Sequence, residues 1–419
     1  MSKRLLLGVL LVFKISFGIT LQEAVERAKS VSPLYMQYKT QLKSDFYQYK
    51  TWISPFLPSV SYSFSYTKNK HTDPDYFSRN HSLGINWNIY DSGRSFFNRK
   101  ILKYNYLSSK ELFKENVLDI VYNVKYAYIK CASSKEIVKF RKTQLKAAKL
   151  NFDIAKRKKK LGLVKKSDVL QAQVRYENAK YALEQAKNQY IKDLAELNSW
   201  LGYPLDSETE INTDDFYFYA DDTIPPFYKI EDTALKKRPL LKQYRYNIKA
   251  SKFSVKQTLF SFSPYISLSY GRTKYFSSII GSNQYTSFYS ISLNWDIFTG
   301  FQRYYRYLSA KETEKSSKYS FLETRRKLKL NLFKTYTDLK TAVAKLKVAK
   351  ALLEEANLNY KQALGEYKVG TGDILSLIRA EEALASAHET YINSLLDIAV
   401  AKITLERQMG ITSITEVMK

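Results

Sequence analysis

Apolar and polar positions recur along this chain with two periods, and the change from one to the other marks out strands and helices. Val60, Tyr62, Phe64 and Tyr66 alternate with Ser61, Ser63 and Ser65; Leu83, Ile85, Trp87 and Ile89 alternate with Gly84, Asn86 and Asn88. The same alternation returns at Ile266, Leu268 and Tyr270, and again at Ile291, Leu293, Trp295 and Ile297. A period of two predicts strands, four in all, each of about nine to eleven residues, the length a tilted strand needs to cross a bilayer. Arg94 to Leu161 contains no Gly or Pro and carries apolar side chains in steps of four and three, among them Val117, Val121, Val124, Tyr128, Cys131, Val138 and Leu145. A second seam runs through Leu332, Tyr336, Leu339, Val343, Leu346, Leu353, Tyr360, Leu364 and Tyr367. Spacing near 3.5 predicts paired, supercoiled helices, the first about 100 Å long at 1.5 Å per residue. Partner helices return after Gly-containing turns, through Tyr176, Leu183, Tyr190 and Leu197 and through Leu384, Tyr391, Ile398 and Leu405.

The pattern occurs twice. Residues 58–202 and 264–410 read as two versions of one sequence: Asn86-Trp87-Asn88-Ile89 returns as Asn294-Trp295-Asp296-Ile297, and Trp200-Leu201-Gly202 as Gln408-Met409-Gly410. The expected organisation is therefore a duplicated chain. Residues 19–205 form a first repeat of helix, two strands and a long helix pair, residues 231–410 a second repeat, and residues 411–419 a tail. Between the repeats, 206–230 forms a linker. The wider stretch Tyr203 to Tyr228 holds seven acidic residues and no Lys or Arg, and is expected to lie against the helices. Leu21 to Trp52 and Ile230 to Phe260 are each expected to be helical.

Residues 1–18 are expected to be a secretory signal, with Lys3 and Arg4 before the apolar run Leu5 to Phe13 and small residues at Ser16 and Gly18. Cys131, the one cysteine, falls at a core spacing, so a buried thiol is expected. His71, His81 and His388 lie far apart and show no metal-ligand spacing; surface or loop positions are expected for all three. No phosphate-binding loop or nucleophile motif is present, so neither enzyme chemistry nor a cofactor is indicated. The formal charge of +27 and the knot Lys156 to Lys166, with seven Lys or Arg in eleven residues, raise nucleic acid as a partner, and the expected export argues against it.

The strands point to a membrane wall. A soluble sandwich would turn charged residues outward, whereas here the polar face is mostly Ser, Gly and Asn and the apolar face is rich in aromatics, which suits lipid outside and water within. Four strands cannot stand alone there, because open sheet edges leave backbone groups unpaired in hydrocarbon. Two copies would give eight strands filled by side chains; three would give twelve and room for water. A secreted coiled-coil scaffold without a pore is the alternative, and it leaves the four strands without a role.

The opening Leu21-Gln22-Glu23-Ala24-Val25-Glu26-Arg27-Ala28, the following Ser32-Pro33, the strand-to-helix corners and the two Gly turns resemble the TolC family of outer-membrane efflux proteins. The resemblance implies a homotrimer with a twelve-stranded β-barrel in outer-membrane lipid, continuous with an α-helical barrel in the periplasm. It further implies docking on a periplasmic adaptor protein and an inner-membrane pump, for efflux or type I secretion.

By the same resemblance, the turns of the helix pairs close the tunnel and meet the adaptor. The residues concerned are Gly162, Leu163, Val164, Ser167 and Asp168 in the first turn and Gly370, Thr371, Gly372, Ile374 and Ser376 in the second. Where well-known members carry rings of Asp at the mouth, this chain has Ser376 and Arg379, with Asp373 beside them. With the Lys156 to Lys166 knot, the entrance is expected to be cationic and to favour anionic cargo.

Overall fold

The computed structural model describes residues 18–70 and 76–414. The expected signal, Gly18 apart, and the end of the tail lie outside these residues, as does His71. The chain runs through α1 (Leu21–Val31), α2 (Pro33–Lys50), β1 (Ser59–Asn69), β2 (Tyr76–Asp91), α3 (Arg94–Lys160) and α4 (Lys166–Leu201). It continues with α5 (Asp214–Tyr219), α6 (Phe227–Lys237), α7 (Pro239–Phe260), β3 (Tyr265–Ser277), β4 (Asn283–Asn294), α8 (Gln302–Val369) and α9 (Ile374–Met409). The long helices hold 67 and 68 residues and their partners 36 each, as the uninterrupted 4-3 spacing requires. Among the described residues, no helix is long and apolar enough to cross a membrane.

The chain divides into two compact units. One contains 38–115 and 239–327, and its centre is the four-stranded antiparallel sheet, in the order β1-β2-β3-β4. Val60 pairs with Ile85, Ile85 with Tyr270, and Tyr270 with Tyr289. Residues directly opposite one another share a face, so this register collects the apolar positions of all four strands on one side. That side is uncovered: Tyr289 is 84% exposed and Ile291 76%. Ser61, Gly84, Gly271 and Phe288 define the opposite face, where Ser, Thr, Asn, Gln and Gly predominate. A Cβ on Gly271 would lie 2.2 Å from the Phe288 ring, so only glycine allows that ring to lie across β3. β1 has the expected length at 11 residues, while β2, β3 and β4 exceed it at 16, 13 and 12. In β2 the excess is 76–82, where Arg79 and His81 interrupt the apolar alternation.

The other unit contains the described parts of 1–37, 116–238 and 328–419, and is helical. Its core follows the predicted seams: Val124, Tyr128, Leu197, Leu332, Leu339, Ile398 and Leu405 are buried. Cys131 is buried as expected, and burial pushes its thiol up to about 12. The acidic segment between α4 and α6 is no bare connector, because it forms α5 and packs Phe216 and Tyr219 into the core. There Lys125 Nζ donates to Glu406 Oε2 at 2.6 Å, to the Tyr219 hydroxyl at 2.7 Å and to the Thr412 carbonyl at 2.6 Å.

Two expectations need correction. The single helices expected at the start of each repeat are each broken, between α1 and α2 at Ser32 and between α6 and α7 at Arg238. Each break residue precedes a proline and leaves helical geometry, with ψ of 121° and 118°. The proline ring disfavours helical geometry in the residue before it, while its own fixed φ suits the first position of the next helix. The histidines are not all superficial either: His388 is half-buried, its ring stacked 3.8 Å from that of Phe140. A seam position on α9, rather than a loop, accounts for this.

Candidate functional site

Two helical turns close the ends of the long helix pairs, α3 to α4 and α8 to α9. In the first, Gly162 adopts φ 73°; its N–H donates to the Lys159 carbonyl at 3.0 Å and that of Leu163 to the Lys158 carbonyl at 2.9 Å. The left-handed residue lets the last carbonyls of α3 find partners while the chain reverses. In the second turn Gly370 has φ 93°, and the N–H groups of Gly370, Thr371 and Gly372 all reach the Glu366 carbonyl, at 3.0, 3.0 and 3.1 Å.

Asp373 and Asp168, beside the two turns, both cap helices. Asp373 accepts the Ser376 N–H at 2.7 Å and its hydroxyl at 3.1 Å, at the start of α9. These bonds, the backbone one first, hold its carboxyl below the usual range. Asp168 accepts the Lys165 N–H at 3.2 Å and the Ser167 hydroxyl at 3.0 Å, at the start of α4. Arg379 is exposed one turn further along α9.

The turns rest on one packed cluster drawn from four helices: Phe152 and Ala155 of α3, Ala172 of α4, Ala363 and Tyr367 of α8, and Ile374, Leu377 and Ala380 of α9. Ile374, expected among the contact residues, is only 4% exposed and packs inward, so its side chain holds the turn and offers no surface. Gly162, Leu163, Ser167, Gly370, Thr371 and Ser376 are exposed, while Val164 and Gly372 are half-buried. Leu163 at 68% and Val369 at 77% leave large apolar side chains in the open, and Leu161 and Leu375 add to that surface.

Polar ties cross this cluster, and local sequence does not show them. Lys158 of α3 donates to the backbone carbonyl of Tyr367 on α8, and its ammonium lies 4.5 Å from the centre of that tyrosine's ring. Arg175 Nε of α4 donates to Glu381 Oε1 of α9 at 3.2 Å, and Asn151 Nδ2 of α3 to Glu381 Oε2 at 3.2 Å. Glu381 is 3% exposed; burial raises its carboxyl above the usual range, against the pull of Arg175. One signal was available, since Glu381 sits on the Leu377–Leu384 seam where an apolar residue belongs. Among the described residues, no group of three or more His, Cys, Asp or Glu is placed to hold a metal ion.

At the other functional element, the sheet, helices join strands through tight corners. Ser92, φ 57°, donates to the carbonyls of Ser263 at 2.6 Å and Pro264 at 2.9 Å, and the Asp91 carboxylate accepts the Ser95 N–H at 2.9 Å to start α3. The indoles of Trp87 and Trp295 each donate to a carbonyl on the corner before their hairpin, Phe56 at 3.1 Å and Phe262 at 3.0 Å. Amphipathic rings at one end of an exposed apolar sheet face are the expected boundary between hydrocarbon and water.

The exposed apolar sheet in one unit and the long helix pairs with capped turns in the other are features of a channel protein of the bacterial outer membrane, the class to which comparison with known proteins assigns the chain. The chain belongs to the outer membrane efflux protein family, which it matches over residues 24–203 and 231–411. It is 23% identical over 414 residues to Protein CyaE of Bordetella pertussis, covering 94% of this chain and 85% of that one. It is 21% identical over 318 residues to the probable efflux pump outer membrane protein TtgC of Pseudomonas putida, covering 73% of this chain and 63% of that one. Its fold is similar to that of CusC, solved in a study of folding and transmembrane channel formation, with a TM-score of 0.79, 14% identity and 94% of each chain covered. The family consists of efflux channels rather than enzymes, and its place is the outer membrane.

Proposed function

We propose that three copies of this chain pair β1 of one with β4 of the next to close a twelve-stranded barrel, and that the helices continue the wall as a periplasmic tunnel. The supporting observation is the sheet itself: one face is apolar and uncovered, and β1 and β4 are its two unpaired edges. In hydrocarbon each unpaired backbone group costs several kcal/mol, so the edges must find partners. Eight strands would fill their own lumen with side chains, whereas twelve leave a water-filled one. The Ser- and Asn-rich face then lines the conduit, and the two sequence repeats, 19–205 and 231–410, each contribute one hairpin and one helix pair to it.

The conduit is passive. It serves efflux or type I secretion, and a periplasmic adaptor and an inner-membrane pump supply recognition and energy. The exposed parts of the two turns, Leu163, Thr371 and Ser376 among them, are the adaptor-facing surface, while Asp373, Ser376 and Arg379 line the entrance. Opening separates the helix pairs at Lys158–Tyr367, a switch between two packings of the seams. Asp373 and Asp168 keep their negative charge, but Arg379 and the seven Lys or Arg of 156–166 outnumber them, so the entrance favours anionic cargo. A scaffold without a pore does not account for the uncovered apolar face.

The test is a reversible lock. Asp373→Cys chains cross-linked through a cysteine on the facing helix of the neighbouring copy are expected to lose export under oxidation and regain it under reduction. Buried Cys131 leaves the background clean. Export that continues with the turns locked overturns the proposed gate.

A further inference from the structure

Every Lys, Arg and His on the four strands lies on the apolar face. The register places Arg79 opposite Phe276, His81 opposite Lys274, and Leu83 opposite Arg272, so cations occupy three successive cross-strand rows of β2 and β3. These rows adjoin the hairpin ends, Arg272 being four residues from the last β3–β4 pair, Phe276 with Asn283, or about 13 Å along the strand at 3.3 Å per residue. Below them the face is aliphatic and aromatic, with Ile85, Leu268 and Ile291. No Asp or Glu occupies this face on any strand. Among the described residues, no carboxylate lies within ion-pair distance of Arg79, Arg272 or Lys274. Their near neighbours are aromatic: the Arg79 guanidinium lies 5.2 Å from the Phe77 ring and the Lys274 ammonium 5.7 Å from the Tyr285 ring, while Tyr62 shares a 2.8 Å hydrogen bond with His81 Nδ1.

Like charges crowded on a lipid-facing surface repel one another and are costly to desolvate, and the cost falls only near the membrane boundary. Polar rows in a barrel normally turn inward, yet here the inward face takes Ser, Asn and Thr and the cations face out. An anion on the lipid side removes both penalties. Two guanidiniums and an ammonium suit phosphate, which arginine binds through paired N–H groups, and the aliphatic rows beneath suit acyl chains. We propose that this patch, on each copy, binds the phosphate-bearing headgroup of a lipid in the leaflet at the hairpin ends, with its acyl chains lying along the apolar rows below. The proposal rests on the reading of the sheet as a barrel wall.

The experiment is native mass spectrometry of the intact assembly extracted in mild detergent, offered bis-phosphorylated lipid A or the same lipid with its phosphates removed. Retention of the phosphorylated lipid is expected to exceed that of the other by about tenfold, the scale of one charge-assisted hydrogen bond, and not to be competed by inorganic phosphate. Arg79→Gln/Arg272→Gln/Lys274→Gln is expected to abolish the preference, and Arg79→Lys/Arg272→Lys to keep most of it. Arg272→Gln alone, expected to reduce it, covers the case in which the triple variant does not assemble. Equal retention of the two lipids by the unaltered protein, an unchanged preference in the variants, or displacement by inorganic phosphate overturns the proposal. Heat-modified gel mobility of the same samples separates the failures: a barrel that forms without lipid preference sinks the patch alone, and loss of heat modification in the unaltered protein sinks the barrel as well.

Discussion

The ammonium of Lys158, in the last turn of α3, is bonded to the backbone carbonyl of Tyr367, near the end of α8. The two residues belong to different halves of the chain, yet this bond ties the ends of both long helices beside both turns. Removing the donor leaves the Tyr367 ring buried and the helix ends free to separate.

Lys158→Gln is therefore expected to loosen the closed turns with little loss of overall stability, about 1 kcal/mol for a net hydrogen bond. Channels in planar bilayers should show conductance several-fold above that of the unaltered protein. Unchanged conductance would mean that the bond holds no gate.

Deeper in the cluster, Arg175 and Glu381 test burial. Arg175→Ala strands a carboxylate that is almost fully buried and is expected to destabilise the helical unit by about 3–5 kcal/mol. Arg175→Met with Glu381→Leu, which removes both charges, should recover most of that loss. Thermal unfolding followed by circular dichroism distinguishes the two; equal damage from both changes would show that the pair's charge is irrelevant.

Burial lowers the imidazole of His388 below its usual value; a backbone hydrogen bond and the charge of Glu136 oppose that shift, and Arg141 adds to it. For a base held low in the folded state, the unfolded chain takes up the proton more readily. The stability is thus fully present above about pH 6.5 and lost as pH falls from there through the depressed value. His388→Phe should flatten the melting temperature between pH 7 and pH 5 by removing that component. An unaltered slope in the variant would exclude His388 as its source.

Asp373 caps α9, and its carboxyl is held low by the Ser376 bonds, so this contribution is present above the usual Asp value and fades as pH falls through the lowered one. Asp373→Asn should keep part of the cap while removing the negative charge, shifting the reversal potential in a salt gradient further toward anions. Strong cation selectivity in the unaltered channel, abolished by Asp373→Asn, would contradict the cationic entrance.

Regular periodicity was the most readable part of this chain. The seams through Val124 and Tyr128 and through Leu332 and Leu339 gave both long helices, and alternation at Val60 to Tyr66 gave a strand and its faces. The sequence is less legible where the local pattern is interrupted. Residues 76–82 carry Arg79 and His81 where apolar side chains would continue the alternation, so the period of two does not mark them as strand, whereas pairing with β1 and β3 does. Pro33 and Pro239 mark the breaks, but the amphipathic pattern runs on past both, so periodicity alone predicts an unbroken helix. Lys158 with Tyr367 and Arg175 with Glu381 lie more than two hundred positions apart, and helix periodicity carries no information about such partners.

In the proposed assembly the uncovered apolar face meets hydrocarbon and the open strand edges are sealed by further copies of the same chain. The direct measurement is the mass of the purified, detergent-extracted protein taken together with its conductance in a planar bilayer. Three chains per particle, a discrete open pore and a heat-labile compact band on gels are predicted. A water-soluble single chain that leaves the bilayer silent would contradict the account.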